Sequence, residues 1–476
     1  MRLTTILLLL LAPRLMMAQV SIYPREEIKR NDAYEVAVRP IGGQWQEVPV
    51  YSCDVDMHKR SAAAFAEFDM GGQTEVRVRL LRPETITADS LPAMVRPLSK
   101  GIRYSMPDDS TLLFTLNSPE YLSVEFGGDR HHNLHLFANP MLNEHYNGTE
   151  PGCINWKGEN SQDVFVKGAP LIYFGPGVHR PKDLPSEEIK IPSNTTVYLA
   201  PGAVVKARLI VDRAENVRII GRGIIDHPLR GVEITYSHNV LVDGITILNP
   251  RHYTIFGGQS DDITIRNVKS FSAGSWTDGF DLMCCNRVKI SNIFLRNSDD
   301  CLAFYNHRWW YWGGTTDIDV QKATLWCDFA HPVNIGSHGD DRSETGETLT
   351  NVRIHDCDIL RHKGDGMLCI SCGDKNIIDG IAFDNIRIEG VERGRLFDLR
   401  VVFGAKYNRA PGNSIDNVSF TDITIDGASA KNILPSRIED YDDAHSTGSY
   451  TIKNVKVGNL KFDTENDIVR NKQISK

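Results

Sequence analysis

Three aspartates have the type and spacing for acid-base chemistry. Asp278 lies in Trp276-Thr277-Asp278-Gly279-Phe280-Asp281, and Asp299 and Asp300 follow 21 residues after Asp278 in Asn297-Ser298-Asp299-Asp300-Cys301. If the chain turns back on itself once in that interval, the three carboxylates lie side by side. Like charges that close raise at least one pKa, so one carboxyl keeps a proton for a leaving group while another stays ionised to activate water. Two carboxylates in two protonation states are what glycoside hydrolysis requires. The same residues also suit two other roles. Asp and Asn bond backbone groups in turns, the reading that fits Asp261-Asp262 and Asp340-Asp341, and clustered carboxylates are ligands for a hard cation such as calcium.

The element that would bring them together is legible from about Asn194 onward. A polar residue followed by two aliphatic residues split by one position recurs as Asn216-Val217-Arg218-Ile219, Asn239-Val240-Leu241-Val242, Asp262-Ile263-Thr264-Ile265 and Arg287-Val288-Lys289-Ile290. It continues as Asp317-Ile318-Asp319-Val320, Asn351-Val352-Arg353-Ile354, Gly380-Ile381-Ala382-Phe383, Asn417-Val418-Ser419-Phe420 and Asn454-Val455-Lys456-Val457. The first aliphatics are spaced by 23, 23, 25, 30, 34, 29, 37 and 37 residues, one solenoid coil per repeat with growing insertions. Alternation of period 2 rules against helical repeats and predicts a parallel β-helix whose stacked coils share one core. The carboxylates then sit on successive coils about 4.8 Å apart.

Residues 19–150 have a different texture. Short alternating runs such as Glu75-Val76-Arg77-Val78-Arg79-Leu80 and Asn133-Leu134-His135-Leu136, separated by Gly, Asp and Pro, predict an antiparallel β-sandwich placed to cover an open end of the solenoid. Asp129-Arg130-His131-His132 reads as a charged turn. Arg2, the apolar run Ile6 to Ala12 and Met16-Met17-Ala18 before Gln19 make residues 1–18 an export signal. The apolar run is too short for the roughly 20 residues of a membrane span, so no membrane insertion is expected, and the first cysteine, Cys53, lies too far on for a lipid anchor. Residues 151–476 are assigned to the β-helix.

Of 476 residues, 41% are hydrophobic and 24% charged, which excludes collagen-like, coiled-coil and disordered chains. A net charge of -8 without any dense Lys/Arg block argues against nucleic acid as a partner. Nine dispersed cysteines predict buried thiols rather than a disulfide framework, and the Cys369/Cys372 pair lacks the second pair that a zinc site needs. Asn147, Asn194 and Asn417 fit glycosylation sequons, which matter only on a eukaryotic secretory route.

The Thr277-Asp278-Gly279-Phe280-Asp281 segment, the Asp299-Asp300-Cys301 segment and Ala330-His331-Pro332-Val333-Asn334-Ile335-Gly336-Ser337 resemble three successive motifs of the family 28 glycoside hydrolases, the polygalacturonase group. The resemblance covers roughly residues 165–425. The N-terminal sandwich, with Val197-Tyr198-Leu199-Ala200-Pro201-Gly202 entering the helix, is similar in layout to the family 49 dextranases and isopullulanases. The resemblance implies an all-β fold, a right-handed parallel β-helix of the pectin-lyase-like kind behind an antiparallel sandwich, and an inverting hydrolase. It places Asp299 as general acid, Asp278 and Asp300 on the attacking water, and His331 beside them. Asp281, Asn297 and His338 are candidate substrate contacts. One family motif is missing: where polygalacturonases carry Arg-Ile-Lys to hold a uronate, the chain reads Gly364-Asp365-Gly366-Met367-Leu368-Cys369-Ile370. Arg361, Lys363, Arg395 and Arg400 are candidate replacements, and a neutral glycan stays open as substrate.

The insertion His307-Arg308-Trp309-Trp310-Tyr311-Trp312-Gly313-Gly314 carries more adjacent aromatics than a strand can point inward, so Trp309, Trp310 and Trp312 are expected to form a sugar platform. Carboxylate chemistry needs no metal or organic cofactor, so none is expected. The reading is an exported, secreted or periplasmic, monomeric enzyme whose partner is a polysaccharide or oligosaccharide. Two alternatives remain: a calcium-dependent β-helix lyase that makes unsaturated products, and a carbohydrate-binding solenoid without turnover.

Overall fold

The computed structural model describes residues 19–83, 93–156, 168–181 and 187–473. The leader expected over residues 1–18 lies outside the described residues. Two sheets come first. One has five antiparallel strands in the order Gln46–Val48, Tyr34–Pro40, Thr74–Leu80, Thr111–Leu116 and Tyr104–Asp108. The other has six, built around Ser61–Gly71, and its pairing with Leu134–Pro140 is parallel while its remaining pairings are antiparallel. Val36, Val38, Val76, Val78 and Leu112 of the first meet Ala64, Ala66, Phe68, Leu122 and Leu136 of the second in one buried core.

Thirty-one strands from Cys153–Asn155 to Ile468–Lys472 form the parallel β-helix. Val217, Val240, Ile263, Val288, Ile318, Val352, Ile381 and Val418 pair in unbroken register, each at most 2% exposed. The polar residue before each of them has a structural cause. Asn216, Asn239, Asp262, Arg287, Asp317, Asn351 and Asn417 all have φ between 53° and 58°. This left-handed corner is one that Asn and Asp tolerate better than bulkier residues. Their amides also stack, Asn216 Nδ2 donating to Asn194 Oδ1 at 2.9 Å and Asn239 Nδ2 to Asn216 Oδ1 at 2.6 Å.

The ninth repeat, Asn454-Val455-Lys456-Val457, is displaced from the expected column, because Tyr450 is what lies opposite Val418. Asn454 stacks instead on Asp422, in the next corner around the coil, where Asn385 Nδ2 donates to Asp356 Oδ1 at 2.6 Å. That corner uses the same left-handed Asn or Asp before an aliphatic residue, so its sequence is indistinguishable from the first corner's.

The sandwich packs along the flank of the solenoid rather than over an open end. Strand alternation explains this. Ala64, Ala66 and Phe68 face the sandwich core, so Phe65, Glu67 and Asp69 face the coils. Phe65, Tyr51, Cys53 and Phe137 meet an outward apolar column with one residue from each of seven coils: Val204, Ile224, Leu248, Phe271, Phe294, Trp326 and Leu360. Charges in the same interface are paired. Glu67 binds Arg25 and Lys269 Nζ, the latter at 2.7 Å, with all three side chains fully buried. Arg222 binds Asp69 at 2.8 Å, and Arg96 binds Glu389 at 2.7 Å. The hairpin tip between Val50–Val55 and Ser61–Gly71 is thereby carried toward the coils that hold Asp299.

Candidate active site

Backbone bonds between successive coils stack the acidic motifs. The Thr254 N–H donates to the Asp278 carbonyl at 2.9 Å, Gly279 to Asp300 at 2.8 Å and Cys301 to His331 at 2.9 Å. Gly279 makes this approach, since a Cβ there would lie 2.1 Å from the Cys301 carbonyl oxygen. As a result Asp278, Asp299 and Asp300 each place a carboxylate oxygen within 4.8 Å of the others. They line a cavity of about 960 Å³, together with His331, His338 and Asn334.

The four carboxyls of the region differ in their surroundings. Asp299 is the half-buried one of the motif and faces the cavity. Its Oδ2 accepts from the Trp276 N–H at 3.0 Å and its Oδ1 from the Asp300 N–H at 3.2 Å. Burial first, and the Asp300 charge second, nevertheless raise its pKa above the ordinary carboxylate value. Asp300 is held by three donors: His331 Nδ1 at 2.7 Å, the His331 N–H at 2.9 Å and Asn334 Nδ2 at 2.7 Å. Burial works against protonating His331, but Cys369 and Asp300 more than offset it, and its pKa lies well above the ordinary value. Asp278 and Asp281 are raised furthest, by burial and by the crowding of like charges. Asp278 Oδ1 and both Asp281 oxygens are buried without a hydrogen-bond donor among the described residues.

Some expected substrate contacts fall elsewhere. Asn297 is fully buried and donates to Ser272 Oγ at 2.9 Å, because its strand position points it between coils rather than into the cavity. Asp281 is also fully buried, 3.8 Å from Arg308 Nη1 and outside the cavity wall. His338 does line the cavity, its ring edge-on to Tyr305 with centroids 5.0 Å apart. Burial, then Arg308 and His307, push its pKa down to about 3, so it is neutral. Trp309, Trp310 and Trp312 are exposed but not on the cavity wall. Trp309 folds onto Phe256 at 5.9 Å and Trp312 onto His307 at 3.6 Å, while the loop sends Arg308 into the cavity.

The aromatic rim of the cavity is Trp276, Phe329 and Tyr407, each 44–50% exposed. These residues were not singled out by sequence, because none belongs to an aromatic run. Of the four candidate cations, only Arg400 lines the cavity. Arg361 turns away to Glu125 at 3.0 Å, Arg395 binds Asp365 at 3.1 Å, and Lys363 does not line the cavity. Arg400 lines it while bound to Glu439 at 3.1 Å. Arg393 and Lys406 also line it and form no ion pair among the described residues.

The nine cysteines are unpaired, eight of them buried. The three aspartates are also close enough together to contact one hard cation. Calcium takes about six to eight oxygens. Here both oxygens of Asp299 and of Asp300 already accept N–H donors, which suits the donor set to hydrogen bonding better than to an ion.

Residues 207–471 match the family described as Glycosyl hydrolases family 28. The chain belongs to that family. It is 28% identical over 199 residues to exopolygalacturonase B of Aspergillus niger, covering 39% of this chain and 43% of that protein. It is 22% identical over 224 residues to a probable endopolygalacturonase D of Neosartorya fischeri, covering 46% and 42% respectively. The chain thus spans about two fifths of the length of these curated relatives. In three dimensions it is similar to Dex49A from Penicillium minioluteum, with a TM-score of 0.56 and 16% identity over 92% of this chain and 96% of that one. That likeness concerns the fold. No described helix is long and apolar enough to cross a membrane.

Proposed function

We propose that the chain is an exported, monomeric polysaccharide hydrolase that cleaves O-glycosidic bonds with inversion at the anomeric carbon. The observation that carries this reading is a cavity-facing carboxyl with a raised pKa beside a second carboxylate fixed by three donors. Asp299 is the general acid that protonates the glycosidic oxygen. Asp300, oriented by His331 and Asn334, holds the attacking water together with Asp278. The donorless oxygens of Asp278 and Asp281 call for a shared proton, since a buried unpaired carboxylate is costly. One proton on that pair leaves one negative charge to receive the proton of the water. The oxygens within 4.8 Å are closer than the roughly 6.5–9.5 Å typical of inverting pairs, so inversion is supported by family membership rather than by spacing.

Arg308, Arg393 and Lys406 on the cavity wall favour an acidic glycan over a neutral one. Polygalacturonases among the relatives point the same way. A panel of homogalacturonan, rhamnogalacturonan, dextran and pullulan, assayed for reducing ends, tests the substrate class. Cleavage confined to dextran or pullulan would overturn the acidic preference. Activity is expected to survive a chelator unchanged, and reversible loss on chelation would replace the carboxylate assignment with the calcium-dependent lyase.

The pH profile carries a signed prediction. Activity needs Asp299 protonated and therefore falls as pH rises through its raised pKa. The His331 charge lowers that pKa. His331→Gln is therefore expected to move the alkaline limb of the kcat profile to higher pH while lowering kcat. A limb that stays in place would separate His331 from the acid.

A further inference from the structure

We propose that the β-sandwich supplies part of the substrate site, with His58 at the tip of its hairpin binding a sugar next to the bond being cut. This rests on the hydrolase reading of the cavity. Met57 and His58, more than 200 residues before Asp278 in the chain, line the same cavity as Asp299. The tip is built into place rather than lying loosely on the coils. The Met57 N–H donates to Ser298 Oγ at 3.0 Å, beside the proposed acid, and the Asp56 N–H to Asp328 Oδ2 at 3.1 Å. Asp56 has φ of 59°, and its Oδ1 accepts the His58 and Lys59 N–H groups at 2.9 and 3.0 Å. Its Oδ2 meets His131 Nε2 at 3.1 Å. The charged turn Asp129 to His132 thus has a role, as the brace behind the tip.

This bracing leaves the His58 side chain exposed over the cavity, edge-on to Phe329 with ring centroids 4.3 Å apart. Phe329 is itself 44% exposed, an unusual state for a phenylalanine flanking a buried motif. An apolar ring face beside an imidazole with polar ring nitrogens matches the chemistry of a pyranose, which offers C–H groups on its faces and hydroxyls or a carboxylate around its edge. Trp276, on the same cavity wall, lies under Lys406, with the ammonium 5.9 Å from the ring centroid. A sugar chain reaching Asp299 therefore meets a wall built by both the sandwich and the solenoid, and His58 acts as a specificity residue.

The test is His58→Ala on the full chain, chosen because His58 is exposed and none of the Asp56 anchors uses its ring. KM for the cleaved glycan is expected to rise about tenfold, with kcat within about twofold and the melting temperature unchanged. An unchanged KM would show that the tip only fastens the sandwich to the coils, and would overturn the proposal while leaving the hydrolase reading intact. Retention on glycan affinity gels gives a readout without turnover. Asp299→Asn with His58→Ala should be retained less than Asp299→Asn alone, and equal retention would again overturn the wall. A wild-type chain that binds a glycan without cutting it would sink the hydrolase reading, while loss of that binding in His58→Ala would still uphold the wall. If the wild-type chain neither cuts nor binds any glycan of the panel, both fall.

Discussion

Asp299→Asn is expected to lower kcat on the cleaved glycan by about a hundredfold to ten-thousandfold, the usual contribution of a positioned general acid. Asparagine keeps the size of the side chain and its acceptor for the Trp276 N–H, so the coil contact at 3.0 Å survives and KM should change little. What is lost is the ionisable proton whose retention burial and the Asp300 charge favour on Asp299. The check is kcat and KM by reducing-end assay, with the unfolding midpoint measured in parallel. A loss of less than about tenfold with the fold intact would remove Asp299 from the acid role and move attention to Asp278, whose pKa is also raised.

Glu67→Gln is expected to be the most destabilising of the conservative changes, at about 3–5 kcal/mol, the range for removing one partner of a buried ion pair. Glu67 is fully buried between Arg25 on the sandwich side and Lys269 on the coils. Glutamine leaves the Lys269 ammonium without its counter-charge. Replacing the triad together, Arg25→Met, Glu67→Leu and Lys269→Met, is expected to cost much less than the single change, because no orphaned charge remains. The pH dependence follows in sign. Burial raises the Glu67 pKa, but Lys269 and Arg25 outweigh it and hold it down at about 2. A depressed carboxyl stabilises the fold fully above its unfolded pKa near 4.3, and that contribution is lost as pH falls from there toward about 2. Denaturant midpoints between pH 7 and pH 2.5 should drop in the wild type, and the Glu67→Gln chain should lack this part of the drop.

The parts legible in the sequence were those that repeat. Left-handed corners favour Asn, Asp or Gly, with Arg287 the exception, and coil interiors demand aliphatics, so each coil writes nearly the same pattern and eight of the nine copies fall in register. The acidic triad was legible because Asp278 and Asp299 are separated by about one coil. What the sequence did not disclose depended on side-chain direction across long separations. Trp309, Trp310 and Trp312 were conspicuous as a run, yet they pack on Phe256, Trp309 and His307 respectively and stay off the cavity wall, whereas Trp276, Phe329 and Tyr407 reach one rim from three separate loops. Asn297 sat beside the acids in sequence, yet period-2 alternation turned it inward. The sandwich could be recognised by its strands, but its seat on the flank required the outward column from Val204 to Leu360, whose members are about one coil or more apart.

Reducing-end release from the acidic and neutral glycans, followed at the same time by ultraviolet absorbance of the products, bears most directly on the claim that this cavity hydrolyses glycosidic bonds. The account predicts reducing ends from an acidic glycan with no rise in absorbance. Unsaturated, absorbing products would contradict it in favour of a lyase, and retention of a glycan without any cleavage would contradict it in favour of a binding solenoid.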